Sequence, residues 1–177
     1  MNIKRIASAA VVAAIYAALT IALAPISYGS IQFRISEVLC ILPFFFPVSV
    51  WGLFIGCLLA NLLSPYGIID IIVGPIATLI AAIATMQLGK LPSRGTVRTK
   101  AFACLPPVIS NAILVGAAIT IASASEGAFL PVFAVNALEV GFGELVVLFV
   151  IGLPLLIILP KTSWFRSISG SLGGDLR

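Results

Sequence analysis

Ser30-Ile-Gln-Phe-Arg-Ile-Ser-Glu-Val-Leu-Cys-Ile-Leu-Pro-Phe-Phe-Phe46 places Gln32, Arg34 and Glu37 at the mouth of an apolar run that closes on three phenylalanines. Around it the 177-residue chain is 61% hydrophobic and 9% charged, with a mean hydropathy of +1.23. A soluble domain averages about 45–50% apolar and about 25% charged residues. Such a chain cannot cover itself with polar groups in water, so the composition implies an all-α integral membrane protein. In that setting a guanidinium and a carboxylate three residues apart need a reason to exist.

The net charge of +4 does not point to nucleic acid, because nine of the ten basic residues sit in three short groups between or beyond the apolar runs. These are Lys4 and Arg5, then Lys90, Arg94, Arg98 and Lys100, then Lys161, Arg166 and Arg177. Basic residues gathered in alternate loops follow the positive-inside rule. Arg34 is the tenth.

Taken in order, the apolar runs predict six helices, at about 6–24, 36–46, 48–63, 68–89, 101–123 and 131–159, in one transmembrane domain over 1–177. The first has two basic residues before it and Ala22-Leu23-Ala24 at its end, as a cleaved signal does. Pro25 and the length of the run oppose cleavage, since a signal core spans about 7–15 residues. Pro25 and Tyr28-Gly29-Ser30 make a loop before the second helix. The second and third helices are short and divided by Pro47. The polar Ser125-Glu126-Gly127 segment leads into the sixth, which at about 1.5 Å per residue would be roughly 43 Å long and must tilt, kink at Pro154 or protrude. Six crossings place both termini and the Lys90–Lys100 loop on the cytoplasmic side.

With that topology Arg34, Glu37, Asn61, Asp70, Asn136 and Glu139 share the outer half of the bundle, with Glu144, Thr78 and Asn111 deeper. At 100° per residue, Asn136, Glu139 and Gly143 lie within about 60° on one helix face, and Glu144 flanks them. A carboxylate facing lipid costs several kcal/mol, so these groups should face inward. Gly141 and Gly143 leave room beside them for a ligand or a neighbouring helix. The plain alternatives are a helix-end ion pair for Arg34 and Glu37 and capping at a wet terminus for Asp70. Glu139 and Glu144 have no such account, and an excess of buried acid suits a cationic or hydrogen-bond-donating ligand, or protons.

The first helix carries two stripes of small residues, Ala9-Ala13-Ala17 and Ala10-Ala14-Ala18, and the third carries Gly52-x-x-x-Gly56. Small residues four apart allow close helix contact, either inside the chain or with a partner. Cys40, Cys57 and Cys104 are far apart, and the chain has no histidine. Cysteine–histidine metal sites and histidine triads are thereby excluded, and no cofactor is expected.

Gln32-Phe33-Arg34-Ile35-Ser36-Glu37, followed by Leu42-Pro43-Phe44-Phe45, resembles the QueT family, the substrate-binding (S) subunits of energy-coupling factor (ECF) transporters for queuosine precursors. Gly52-Leu53-Phe54-Ile55-Gly56-Cys57, Asn61-Leu62, Asp70 and Gly74-Pro75-Ile76-Ala77-Thr78-Leu79-Ile80-Ala81-Ala82 extend the likeness over nearly the whole chain. The resemblance implies an S-component-like bundle in a prokaryotic plasma membrane. It also implies that the first helix docks on an EcfT-like coupling subunit through Ala9, Ala13, Ala17, Ala10 and Ala14. Two ABC ATPases would complete the importer, and this chain has no GxxxxGK[ST] sequence of its own. The expected substrates are 7-deazaguanines such as preQ1 or queuine, held by Gln32, Arg34, Glu37, Asp70, Asn111, Asn136, Glu139 and Glu144. Phe33, Tyr28 or Trp51 would stack on the flat ring. Three other readings stay open on the residues alone: an S subunit for a vitamin such as riboflavin, a structural membrane subunit, and an intramembrane hydrolase that lacks an evident nucleophile and base.

Overall fold

The computed structural model describes residues 3–29, 31–123 and 129–172, with side chains as far as residue 167. Ser30, the Ser125-Glu126-Gly127 segment and Arg177 lie outside the described residues. Among the described residues there are helices and turns and no strand. Four stretches are long and apolar enough to cross a membrane: Ile3–Ala22, Ile68–Leu88, Val97–Ala122 and Phe129–Lys161. Ile35–Phe44 and Ser49–Asn61 are shorter apolar helices.

Helix α1 (Ile3–Ala22) stops short of Pro25, which instead sits in the first turn of a four-residue helix, α2 (Ala24–Ser27). A proline is tolerated there because the first turn has no internal partner for its missing N–H. The expected loop from Pro25 is thus partly helical.

The next element departs most from expectation. Ile35–Phe44 is a 3₁₀ helix of ten residues rather than an α-helix, although such runs seldom exceed 3–4 residues. With three residues per turn, every third side chain eclipses. Glu37, Cys40 and Pro43 form one buried row and Val38, Ile41 and Phe44 another. Leu39 and Leu42, on the third row, are only half-buried. The element touches α1, α3 (Ser49–Asn61), α4 (Ile68–Leu88) and α7 (Phe129–Val147), so it runs through the middle of the bundle.

Glycines set the α1–α3 seam. A Cβ on Gly52 would stand 2.5 Å from the Ala9 carbonyl oxygen, and one on Gly56 would stand 2.8 Å from that of Ala13. Ala9, Ala13 and Ala17 are therefore consumed inside the chain, which corrects their assignment to partner docking. Ala10, Ala14 and Ala18 face outward.

Gly67, at φ 70°, turns the chain into α4. Along α4, Ile72, Ile76, Ile80 and Ile83 are exposed, while Gly74, Ala77, Thr78, Ala81, Ala82 and Thr85 are buried. Branched side chains outward and small ones inward is an arrangement for close packing within lipid. The predicted fifth helix is two pieces, α5 (Val97–Ala103) and α6 (Leu105–Ala122), because Pro106 and Pro107 fit only a first turn. Past α7 the chain forms a π-helical turn over Leu148–Gly152 and then α8 (Leu153–Ile158). This is how the anticipated disturbance at Pro154 is absorbed: its ring displaces the carbonyl four residues back, and one wide turn takes up the slack.

One element had no forecast. α9 (Ser163–Leu172) lays Phe165 against Phe45 and Phe46, each at 5.2 Å between ring centroids, and leaves Trp164 exposed. It closes the end of the core where the three phenylalanines of the opening stretch collect.

Candidate functional site

Arg34 caps the 3₁₀ helix and is 2% exposed. Its guanidinium lies 5.4 Å from the centroid of the Tyr28 ring. That ring is held by its own hydroxyl, which donates to the Ala60 carbonyl at 2.7 Å. Arg34 Nε and Nη2 have no hydrogen-bond partner among the described residues. The helix-end ion pair with Glu37 is therefore not formed. Glu37, fully buried, instead accepts from the Tyr16 hydroxyl and, at 2.9 Å, from Cys40 Sγ one eclipsed position along. Thr20, one turn after Tyr16 on α1, is hydrogen-bonded to Ser36 at 2.6 Å.

Asp70 is in the first turn of α4 yet 0% exposed, so it is not a cap at a wet terminus. Ser64 Oγ donates to its Oδ2 at 2.6 Å, and Asn61 Nδ2 donates to its main-chain carbonyl at 2.9 Å. Asp70 Oδ1 and Asn61 Oδ1 remain unpartnered. Gly74 makes this possible, since a Cβ there would meet Asn61 Nδ2 at 2.1 Å.

Glu144, on α7, is 3% exposed. Asn111, on α6, donates to its Oε1 at 2.8 Å, while Oε2 has no partner. Glu144 lies within electrostatic reach of Glu37 and Arg34, and Arg34 within reach of Asp70. Gln32 is brought to the same place by its main chain, whose carbonyl oxygen would be 2.3 Å from a Cβ on Gly143. The space at Gly143 is thus filled by backbone rather than left for a ligand. Gly141 likewise faces Ala112 on α6.

Gln32, Arg34, Glu37, Asp70, Asn111 and Glu144 therefore belong to one buried polar cluster, drawn from five segments of the chain. Asn136 and Glu139 do not join it. Asn136 is half-buried and donates to Thr120 Oγ1 at 2.9 Å, in the α6–α7 seam. Glu139 is half-buried and makes no side-chain hydrogen bond to a described residue. Of the aromatic candidates, Trp51 is 56% exposed on the outside of α3, Tyr28 underlies Arg34, and Phe33 sits edge-on to Phe142 at 6.4 Å.

Thr78, placed with Asn111 among the deeper polar groups by the sequence, is 1% exposed with an unpartnered Oγ1. Two members were missed: Tyr16 and Ser36 are completely buried. Tyr16 left a signal, being the one aromatic residue in α1 and four residues from Thr20.

Buried side chains with open hydrogen-bonding capacity are costly, at about 1–3 kcal/mol each. Here they converge: Gln32 Nε2 and Arg34 Nε and Nη2 are donors, Asp70 Oδ1, Asn61 Oδ1 and Glu144 Oε2 are acceptors, and Thr78 Oγ1 can be either. Three carboxyl groups lie within electrostatic reach of one guanidinium. Such a set suits a small planar molecule with donors along one edge, an acceptor beside them and a positive charge nearby.

The sequence profile described as QueT transporter matches residues 6–161. A protein of Lactococcus lactis subsp. cremoris (strain MG1363), "Queuosine precursor transporter QueT", is 44% identical over 77 residues, which is 42% of this chain and 45% of the relative. The chain thus matches less than half the length of that relative. No solved structure matches it. The chain belongs to the QueT transporter family.

Proposed function

We propose that this member of the QueT transporter family is the substrate-binding S subunit of an ECF-type importer for queuosine precursors. The carrying observation is the cluster of unpartnered buried polar atoms around Arg34, Asp70 and Glu144. A 7-deazaguanine offers N–H groups along its pyrimidine edge, which a carboxylate accepts in pairs. Glu144 Oε2 and Asp70 Oδ1 are the acceptors for that edge. Arg34 and Gln32 donate to the ring carbonyl, and the aminomethyl group of preQ1 brings a charge that offsets the surplus of acid. Charge-assisted bonds of this kind contribute about 1.5–3 kcal/mol each.

The rest of the reading is what the resemblance to S subunits implies. One transmembrane domain crosses the plasma membrane of a prokaryote six times, with both termini and the basic connector on the cytoplasmic side. The outward stripe of Ala10 and Ala14 meets an EcfT-like coupling subunit, and two ABC ATPases hydrolyse ATP. Substrate moves without being chemically altered.

The deciding experiment is equilibrium binding of preQ1 to the purified protein in detergent, with guanine and riboflavin as comparators. Tight binding of the deazaguanine alone supports the reading. Preference for riboflavin would keep the S-subunit architecture and overturn the substrate.

A further inference from the structure

The basic end of the bundle holds a second concavity of the opposite character. A groove of about 560 Å³ runs between α4 and the α5–α6 pair, walled by Ile80, Ala84 and Leu88 on one side and Phe102, Ile109 and Ile113 on the other. Its polar side chain, Ser110, is already satisfied, donating to the Ala77 carbonyl at 2.8 Å. The neighbouring Asn111 turns the other way, to Glu144. The two sites therefore share α4 and α6 but no side chain.

Ile80 to Leu88 is eight steps of about 1.5 Å, or roughly 12 Å. That is well under a hydrocarbon core of about 30 Å, so the groove runs only part of the way across it. At its mouth Phe102 is half-exposed and carries the Arg98 guanidinium 5.8 Å from its ring centroid. Arg98 and Lys90 are exposed on the connector above. Hydrocarbon below and fixed cation above define the complement: an acyl chain with an anionic head.

We propose that this groove is a binding site for an anionic phospholipid, with one acyl chain along α4 and α6 and the phosphate at Arg98. Free phosphate leaves the apolar walls unfilled. A zwitterionic head brings an ammonium group that the same arginine repels. Basic pockets between membrane helices take lipid headgroups in this way. The inference is independent of what the polar cluster binds.

Native mass spectrometry of the purified protein in detergent, titrated with phosphatidylglycerol or phosphatidylcholine of matched chains, tests it. One phosphatidylglycerol should be retained at half-saturation at least fivefold below phosphatidylcholine. Arg98→Gln should abolish that difference, and Ala84→Phe, which fills the groove, should weaken retention of both lipids. Ile113→Trp repeats the filling test from the opposite wall, with helix content by circular dichroism certifying each variant. Glycerol phosphate, which lacks the chain, should not compete. Equal retention of the two lipids by the wild type, an undiminished preference in Arg98→Gln, or undiminished retention in a folded groove-filled variant would each overturn the proposal.

Discussion

Glu139 and Glu144 stand five residues apart on α7 and meet different fates. Glu144 points into the centre, is tied to Asn111 and keeps one oxygen open. Glu139 stops in a half-buried position with no bonded side chain among the described residues. What separates them is the neighbouring element. The 3₁₀ helix and the Gln32 segment back one face of α7, with Gly143 as the point of contact. One to two turns earlier along α7 the neighbour is α6, where Asn136 is already matched with Thr120. A buried acid becomes a site only where another segment brings complementary open groups to it.

The comparison breaks or sharpens under four changes. Gly143→Ala should have the largest effect, since the new methyl would drive into the Gln32 carbonyl and overpacking of that kind costs about 1–3 kcal/mol. A lowered melting temperature together with lost deazaguanine binding is the expected result. A protein that binds normally would mean that the Gln32 segment does not form the site.

Glu144→Gln should leave the fold intact, because the amide oxygen still accepts from Asn111. Ligand affinity should fall about 10- to 100-fold, in line with one charge-assisted bond of roughly 1.5–3 kcal/mol. Calorimetric titration reads this directly.

Tyr16→Phe removes a donor from Glu37 while leaving the ring in its packing. An acceptor stripped of a partner in the interior costs about 1–3 kcal/mol. Thermal stability should fall, with a smaller loss of affinity than Glu144→Gln produces. If affinity drops further than in Glu144→Gln, Glu37 rather than Glu144 is the principal acceptor.

Glu139→Gln should do least, changing affinity less than about twofold. If it proves as harmful as Glu144→Gln, the division of α7 into two levels is wrong.

Much of this was legible in the sequence because charge is scarce there. In a chain this apolar, Arg34, Glu37, Asp70 and Glu144 announce themselves, and solvation cost alone turns them inward. The apolar runs likewise mark the helices to within a few residues. Helical periodicity, however, names a face and not the neighbour it meets, so Asn136 and Glu139 were grouped with Glu144 when they belong to another seam. The two alanine stripes of α1 posed the same problem. They have the same composition, and only the position of Gly52 and Gly56 shows that Ala9, Ala13 and Ala17 face inward. Tyr16 passes as an ordinary helix residue because it carries no formal charge. The 3₁₀ form of Ile35–Phe44 has no composition of its own, and α9 was hidden by its mixture of polar and apolar residues.

That 3₁₀ helix bears on which length changes the chain tolerates. Because its faces repeat every third residue, inserting or deleting one residue before Glu37 turns the remainder by about 120°. The Glu37 row would give way to one of its neighbours, and Glu37 and Cys40 would turn away together from Tyr16. A change of three residues restores the faces and only slides them along the axis. Length variation in this segment should therefore come in threes, a rule that a small library of insertions screened for deazaguanine binding would expose.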